Sequence, residues 1–191
     1  MAQRKRAKQE TATVYSSTAR AFHWATAGAI VIMVITGYIM AGRAEANIWD
    51  ATTNNLYSTH KLIGFILFWV VIWRFTYRAR NGVPAPEPTL EPIHRLGSEV
   101  VHYALYALLF IVPLLGWIGI SMYPALNIFG VFNLPSLTGK SDAAEQVLAI
   151  HKFAAWTLVA LAALHIAAAL YHHLIRKDGV LARMMPSVRK G

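Results

Sequence analysis

The chain has 191 residues, 56% of them hydrophobic and only 14% charged, which excludes an ordinary soluble domain, where charged residues make up about 25%. The absence of cysteine excludes disulfides, cysteine-ligated clusters and thioether attachment of a prosthetic group, so any metal must be held by histidine, methionine or carboxylates. A formal charge of +9 would suggest nucleic acid as the partner of a soluble protein, but in a membrane protein its distribution among the connections carries the information, and no nucleic-acid partner is expected.

The basic N-terminus is followed by the polar stretch "QETATVYSST" and then by an apolar run of spanning length, so the first run is read as a retained helix and not as a cleaved signal. Four stretches approach the roughly 20 apolar residues needed to cross a bilayer. They cover about 22–41, 56–77, 99–121 and 149–175, with Pro113 an expected kink in the third. The Pro-rich connection "RNGVPAPEPTLEP" is expected to be extended. The predicted fold is therefore an all-α membrane protein, a single domain over 1–191 with tails at 1–19 and 176–191.

Lysine and arginine accumulate on the cytoplasmic side of membrane proteins. The N-terminal tail with Arg20, the 74–98 region and the tail after 175 carry fourteen of the eighteen, leaving Arg43, Lys61, Lys140 and Lys152 on the other side. Both termini are thus predicted to be cytoplasmic, in a multi-pass protein of a bacterial inner membrane whose connections 42–55 and 122–148 face the periplasm.

With that topology each histidine acquires a depth. His23 opens the first span at the cytoplasmic side; His60 and His151 open the second and fourth at the outer side. His165 lies fourteen residues beyond His151, which at 1.5 Å and 100° per residue is about 21 Å and nearly four whole turns, so the two share a face. Depth pairs His23 with His165 and His60 with His151. An ionisable side chain in lipid is costly and points to a function. One histidine from each of two helices, opposed across a bundle, is the geometry of bis-imidazole haem, and ligation turns each imidazole from an unsatisfied polar group into a metal ligand. Gly28, Gly37, Gly64, Gly116 and the alanines of 154–169 leave room for a macrocycle and equally suit close helix packing. Tetrahedral zinc fits less well, because it needs three or four clustered ligands.

The segments "FHW", "STHKLIG", "IHKFAAW" and above all "LHIAAALYHHLIRKDGVLARMMP" resemble the bacterial cytochrome b-561 family of small membrane proteins, which includes a superoxide oxidase that passes electrons to ubiquinone. The resemblance implies an antiparallel four-transmembrane-helix bundle enclosing two b-type haems. It also implies that His23, His60, His151 and His165 are the axial ligands, the same set that depth selects.

Further residues acquire expected roles from their positions. His172, seven residues past His165 and about 20° off its stripe, and His102, at a similar depth on the third span, are candidates to bind and protonate ubiquinone, with Arg95, Tyr103 and Tyr171 as neighbours; the alternative is hydrogen bonding to haem propionates or water. Lys61 and Lys152 each follow a predicted outer ligand, where they would draw in superoxide or simply snorkel at a helix end. Arg20, Arg74, Arg78 and Arg95 are candidates for the inner propionates or topology anchors. The segment "SMYPALNIFGVFNLPSLTG" is too interrupted to span and is expected either to cover the outer haem or to serve as a plain connection.

The expected function is electron transfer between a periplasmic donor and the quinone pool, with oxidation of superoxide at an exposed haem edge, since a six-coordinate iron has no open site. The alternative is a cytochrome subunit that docks a periplasmic dehydrogenase or c-type cytochrome, using the outer segment with Arg43, Glu45, Asp50, Asp142 and Glu145. A metal transporter would need polar residues between its sites, where these spans are apolar. Lipid, quinone and a redox partner are the expected partners, with self-association left open.

Overall fold

The computed structural model describes residues 14–88 and 91–185; the outermost parts of both predicted tails lie outside the described residues. Four long helices form the body: α1 Ser17–Glu45, α2 Ala51–Asn81, α3 Pro92–Met122 and α4 Ala144–Tyr171. Each is long and apolar enough to cross a membrane. They extend past the apolar stretches because polar residues fix their ends. Ser16 caps α1 by accepting from Ala19 N at 3.2 Å, and Asp50 caps α2 by accepting from Thr53 N at 2.9 Å. Pro92 supplies the fixed φ of a first helical turn in α3, and Gly82, at φ 77°, closes α2.

The helices alternate in direction. α1 packs along α2, α3 along α4, and α2 against α3, around a core of Leu67, Val71, Leu109, Val112, Ala154 and Leu158. The core is small and many large side chains, such as Ile35, Trp73 and Phe153, are exposed, as suits helices whose outer faces meet lipid. The α3–α4 crossing is tightest at Gly119, where a Cβ would lie 2.5 Å from Leu148 Cδ2, a demand for a small residue.

The two ends of the bundle differ. At one end, the α3–α4 connection forms a small antiparallel hairpin, β1 Asn127–Ile128 with β2 Phe132–Asn133, a strand pair that the sequence reading did not anticipate. Beyond its own strand bonds it is anchored on α2: Ser58 Oγ accepts from Phe129 N at 3.1 Å, Lys61 Nζ donates to Ala125 O at 2.9 Å and to Asn127 O, and Ile128 is fully buried. The hairpin thus lies along α2 at the level of His60.

At the other end, here the terminal end, α4 runs into a π-helical turn, His172–Arg176, stopped by the left-handed Lys177. Residues 177–185 then fold back as a hook. Its carbonyls accept from Tyr15 N (Arg183 O, 3.2 Å) and Trp24 Nε1 (Met184 O, 2.9 Å), and Arg183 pairs with Glu87 of the 82–91 connection at 3.7 Å. The described part of the predicted C-terminal tail is therefore docked on the start of α1.

Candidate functional site

The structure brings the four candidate ligands together in two stacked pairs. At the terminal end the rings of His23 on α1 and His165 on α4 lie 6.3 Å apart; at the hairpin end those of His60 on α2 and His151 on α4 lie 6.4 Å apart. A metal held by two imidazole nitrogens at about 2 Å, each about 1 Å from its ring centre, separates opposed rings by roughly 6 Å. Both pairs thus have the spacing of one iron between two imidazoles. Among the described residues no group of three or more His, Cys, Asp or Glu is placed to hold a metal.

The hairpin-end pair is the more fully prepared. His151 Nδ1 donates to the Val112 carbonyl at 2.8 Å, beside the helix-interior Pro113. The Thr36 hydroxyl gives its own proton to Ile32 O at 2.8 Å and is left to accept from His60 Nδ1 at 3.1 Å. Both rings therefore carry their proton on Nδ1 and present the Nε2 lone pair, the tautomer that ligates a metal. Two glycines make room for them. A Cβ at Gly37 would stand 3.0 Å from His60 Cε1, and one at Gly116 would stand 3.1 Å from His151 Cε1.

The terminal-end pair is built differently. Arg74 Nη2 lies 3.2 Å from His23 Nδ1, and a guanidinium can only donate. This contact leaves the ring proton on Nε2, so ligation at Nε2 requires Arg74 to turn away. The Arg74 guanidinium also stands 5.3 Å over the Tyr106 ring, and that of Arg78 5.6 Å over the same ring, beside a cleft lined by Tyr15, Phe22, Tyr77 and Met184. His102 joins this end, its ring 5.1 Å from that of His165 and its Nδ1 3.2 Å from Ser98 Oγ.

The remaining candidates are grouped otherwise than the sequence reading placed them. His172 sits with His94 (ring centres 6.3 Å apart), and its Nδ1 donates to Asp178 Oδ2 at 2.6 Å. Burial raises the Asp178 carboxyl, but the hydrogen bonds from His172 and Val180 N, with the His172 and Arg176 charges, outweigh it and hold the group below the usual carboxylate range. Tyr171 packs on His172 at 5.8 Å, while Tyr103 is exposed. Arg95 makes an exposed pair with Glu99 at 3.1 Å, and Arg20 Nη1 donates to Met185 O at 3.1 Å in the hook. Lys152 pairs with Glu45 at 3.2 Å, both exposed, whereas the Lys61 ammonium is held by the two hairpin carbonyls.

Thr36, the Val112 carbonyl, Ser98, His94 and Asp178 were not singled out by sequence. Only Asp178 had a local signal, lying in the "RKDG" that ends α4; the rest depend on which helix faces which.

Comparison with known proteins agrees with this architecture. A family model described as prokaryotic cytochrome b561 matches residues 14–187. The chain is 32% identical over 173 residues, 90% of each protein, to cytochrome b561 homolog 2 of Escherichia coli (strain K12). It is 29% identical over 174 residues, 90% of this chain and 97% of that protein, to cytochrome b561 homolog 1 of the same organism. To the probable superoxide oxidase CybB of Yersinia pestis it is 29% identical over 117 residues, 56% of this chain and 59% of that one. Four apolar spanning helices with paired histidines, matched over nearly their whole length, make this chain a member of the prokaryotic cytochrome b561 family, multi-pass bacterial membrane proteins of electron transfer in which b-type haem is implied.

Proposed function

We propose that the chain is a di-haem cytochrome b that oxidises superoxide to dioxygen at its hairpin end and reduces ubiquinone toward its terminal end. The observation that carries the reading is the pair of near-equal ring separations, 6.3 and 6.4 Å, on a single helix that supplies one ligand to each site. Haem bound there supplies one-electron chemistry at its iron.

The chain's own residues set how that chemistry is used. Thr36 and Val112 fix the tautomers of His60 and His151, and Gly37 and Gly116 let both rings approach. Arg74 is the group nearest His23 able to neutralise a haem propionate once it leaves Nδ1, with Arg78 beside it and Arg20 at the hook. His102 and His172, with Arg95 on the same end, are the candidates for binding quinone. The hairpin end is read as periplasmic and both termini as cytoplasmic, because Arg74, Arg78 and Arg80 in the last turns of α2, Arg95 in the first turn of α3 and Arg183 of the hook lie together at the terminal end. Lys152, exposed beside the hairpin end, and Lys61, under the hairpin, supply positive charge where superoxide would arrive. Similarity to a probable superoxide oxidase over part of the chain supports the choice of donor.

The test is to purify the protein with haem and ubiquinone and pulse it with superoxide in a stopped-flow spectrophotometer. Rapid haem reduction followed by quinone-dependent reoxidation is expected, with two haems per chain by pyridine haemochrome. Haems indifferent to superoxide would remove the donor, and fewer than two per chain would remove the pairing. A second reading, a subunit docking a periplasmic redox protein, is favoured by the exposed apolar hairpin residues Phe129, Val131 and Phe132; isolation of a stable complex through that end would support it.

A further inference from the structure

Reducing a quinone to quinol adds two electrons and two protons to its two carbonyl oxygens and forms two O–H bonds. In the proposed reaction two superoxide anions each give up one electron and leave as dioxygen, and neither brings a proton. Both protons must be drawn from water, so a quinone within the bundle needs a polar route to an aqueous face. The terminal end holds polar side chains, outside the histidine pairs, that could supply one.

The side chains of His172 and Asp178 are 12% and 8% exposed, and Nδ1 and Oδ2 stand 2.6 Å apart. With the carboxylate ionised, Nδ1 keeps its proton and Nε2 is the atom that gains and releases one. Arg176 lies 3.7 Å from the same carboxylate and 3.5 Å from Glu91, so the cluster's charges are largely balanced. His94 is exposed and packs edge-to-face on His172 with 6.3 Å between ring centres. His94, Ser98 and His102 recur every four residues along α3 and so share one face. The Ser98 hydroxyl, able to accept one proton while donating another, reaches His102 Nδ1 at 3.2 Å.

We propose that Asp178, His172 and His94 form the proton entry for quinone reduction, passing protons along the His94–Ser98 face of α3; this rests on the quinone-reducing reading above. His172 then stores a proton at the mouth of the route. Asp178 is a positioning residue that holds the storing tautomer.

The test uses haem-loaded protein in lipid nanodiscs, reduced with dithionite and mixed with a short-chain ubiquinone, with haem reoxidation followed by absorbance. This bypasses the superoxide half-reaction. If the wild-type protein is not reoxidised, the quinone reading itself falls. If it is, His94→Ala and Asp178→Asn are expected to keep haem content but slow reoxidation roughly tenfold or more, with a larger solvent deuterium isotope effect, and added imidazole is expected to restore the His94→Ala rate. Rates within about twofold of wild type, or slowing with no change in isotope effect and no relief by imidazole, would overturn the proposal. A readout independent of turnover is ¹⁵N NMR of the His172 ring in the oxidised protein. The expected result is a ring proton held on Nδ1 in the wild type, and loss of that preference in Asp178→Asn; a wild-type neutral ring protonated on Nε2 instead would also overturn it.

Discussion

Gly116→Ala should weaken haem binding at the hairpin-end site without unfolding the bundle. A Cβ there would stand 3.1 Å from His151 Cε1 and 3.2 Å from Nδ1, against an ordinary carbon contact of about 3.5–4.0 Å. Relief requires the ring to retreat by about half an ångström. The ring is tied by its 2.8 Å bond to Val112 O, and retreat stretches or breaks that bond, which is worth about 1 kcal/mol. Loss of an outer-shell partner of a metal-binding imidazole typically lowers affinity by about 10–100-fold, or roughly 1.4–2.8 kcal/mol. The assay is transfer of haem from the purified protein to excess apomyoglobin. On the proposed di-haem reading, the hairpin-end haem is expected to leave about 10–100 times faster than in the wild type while the other is unaffected. A folded Gly116→Ala protein that releases both haems at the wild-type rate would refute the cradle argument, and with it the placement of haem at His151.

Three further outcomes follow from the same geometry. Thr36→Val removes the acceptor for His60 Nδ1 and should speed haem loss from that site by about tenfold, whereas Thr26→Val, whose hydroxyl serves only Phe22 O at 2.7 Å, should leave haem release unchanged in the same assay. Lys61→Met frees the Ala125 and Asn127 carbonyls, and hydrogen exchange across 123–134 should accelerate by about tenfold, with unchanged exchange counting against the tether. The Asp50 carboxyl, held down to about 2 by the Thr53 N–H and by the Arg43 guanidinium, has its pKa depressed in the folded state. Its contribution to α2 is therefore present above the ordinary carboxylate pKa and is lost as pH falls through about 2; a carboxyl ¹³C titration midpoint near 4 would contradict this.

The spans were legible because a bilayer imposes a length and a composition that survive without any knowledge of neighbours. The fourteen-residue interval from His151 to His165 was legible for a similar reason: a helix converts spacing into direction. What decides the tautomers was not. Thr36 and Ile32 are ordinary residues of an apolar run until α1 is laid against α2, and the Val112 carbonyl acquires meaning only when α4 crosses α3. The hairpin stayed hidden because its two residue pairs are too short to show a period, and its anchors, Ser58 and Lys61, belong to another helix. His172 was noticed for its alignment with His165 and keeps α-helical dihedrals, but it is the π-helical turn and the left-handed Lys177 after it that bring Asp178 back against its ring.

Helix α4 contributes one imidazole to each pair, while the opposite imidazoles come from different helices, α1 at one level and α2 at the other. The interval between the two pairs on this side is therefore inherited from a continuous run of helical peptide bonds. Each centre's own geometry, by contrast, answers to a different partner. A rotation of α1 that moves His23 also carries Thr36 and Gly37 against His60, and one of α2 that moves His60 also carries Arg74 against His23, so each pair is adjusted independently only through its own contacts. Substitutions at Thr36, Gly37 or Gly116 thus adjust the hairpin-end pair and those at Arg74 the terminal-end pair, while the interval between the two pairs along α4 is kept.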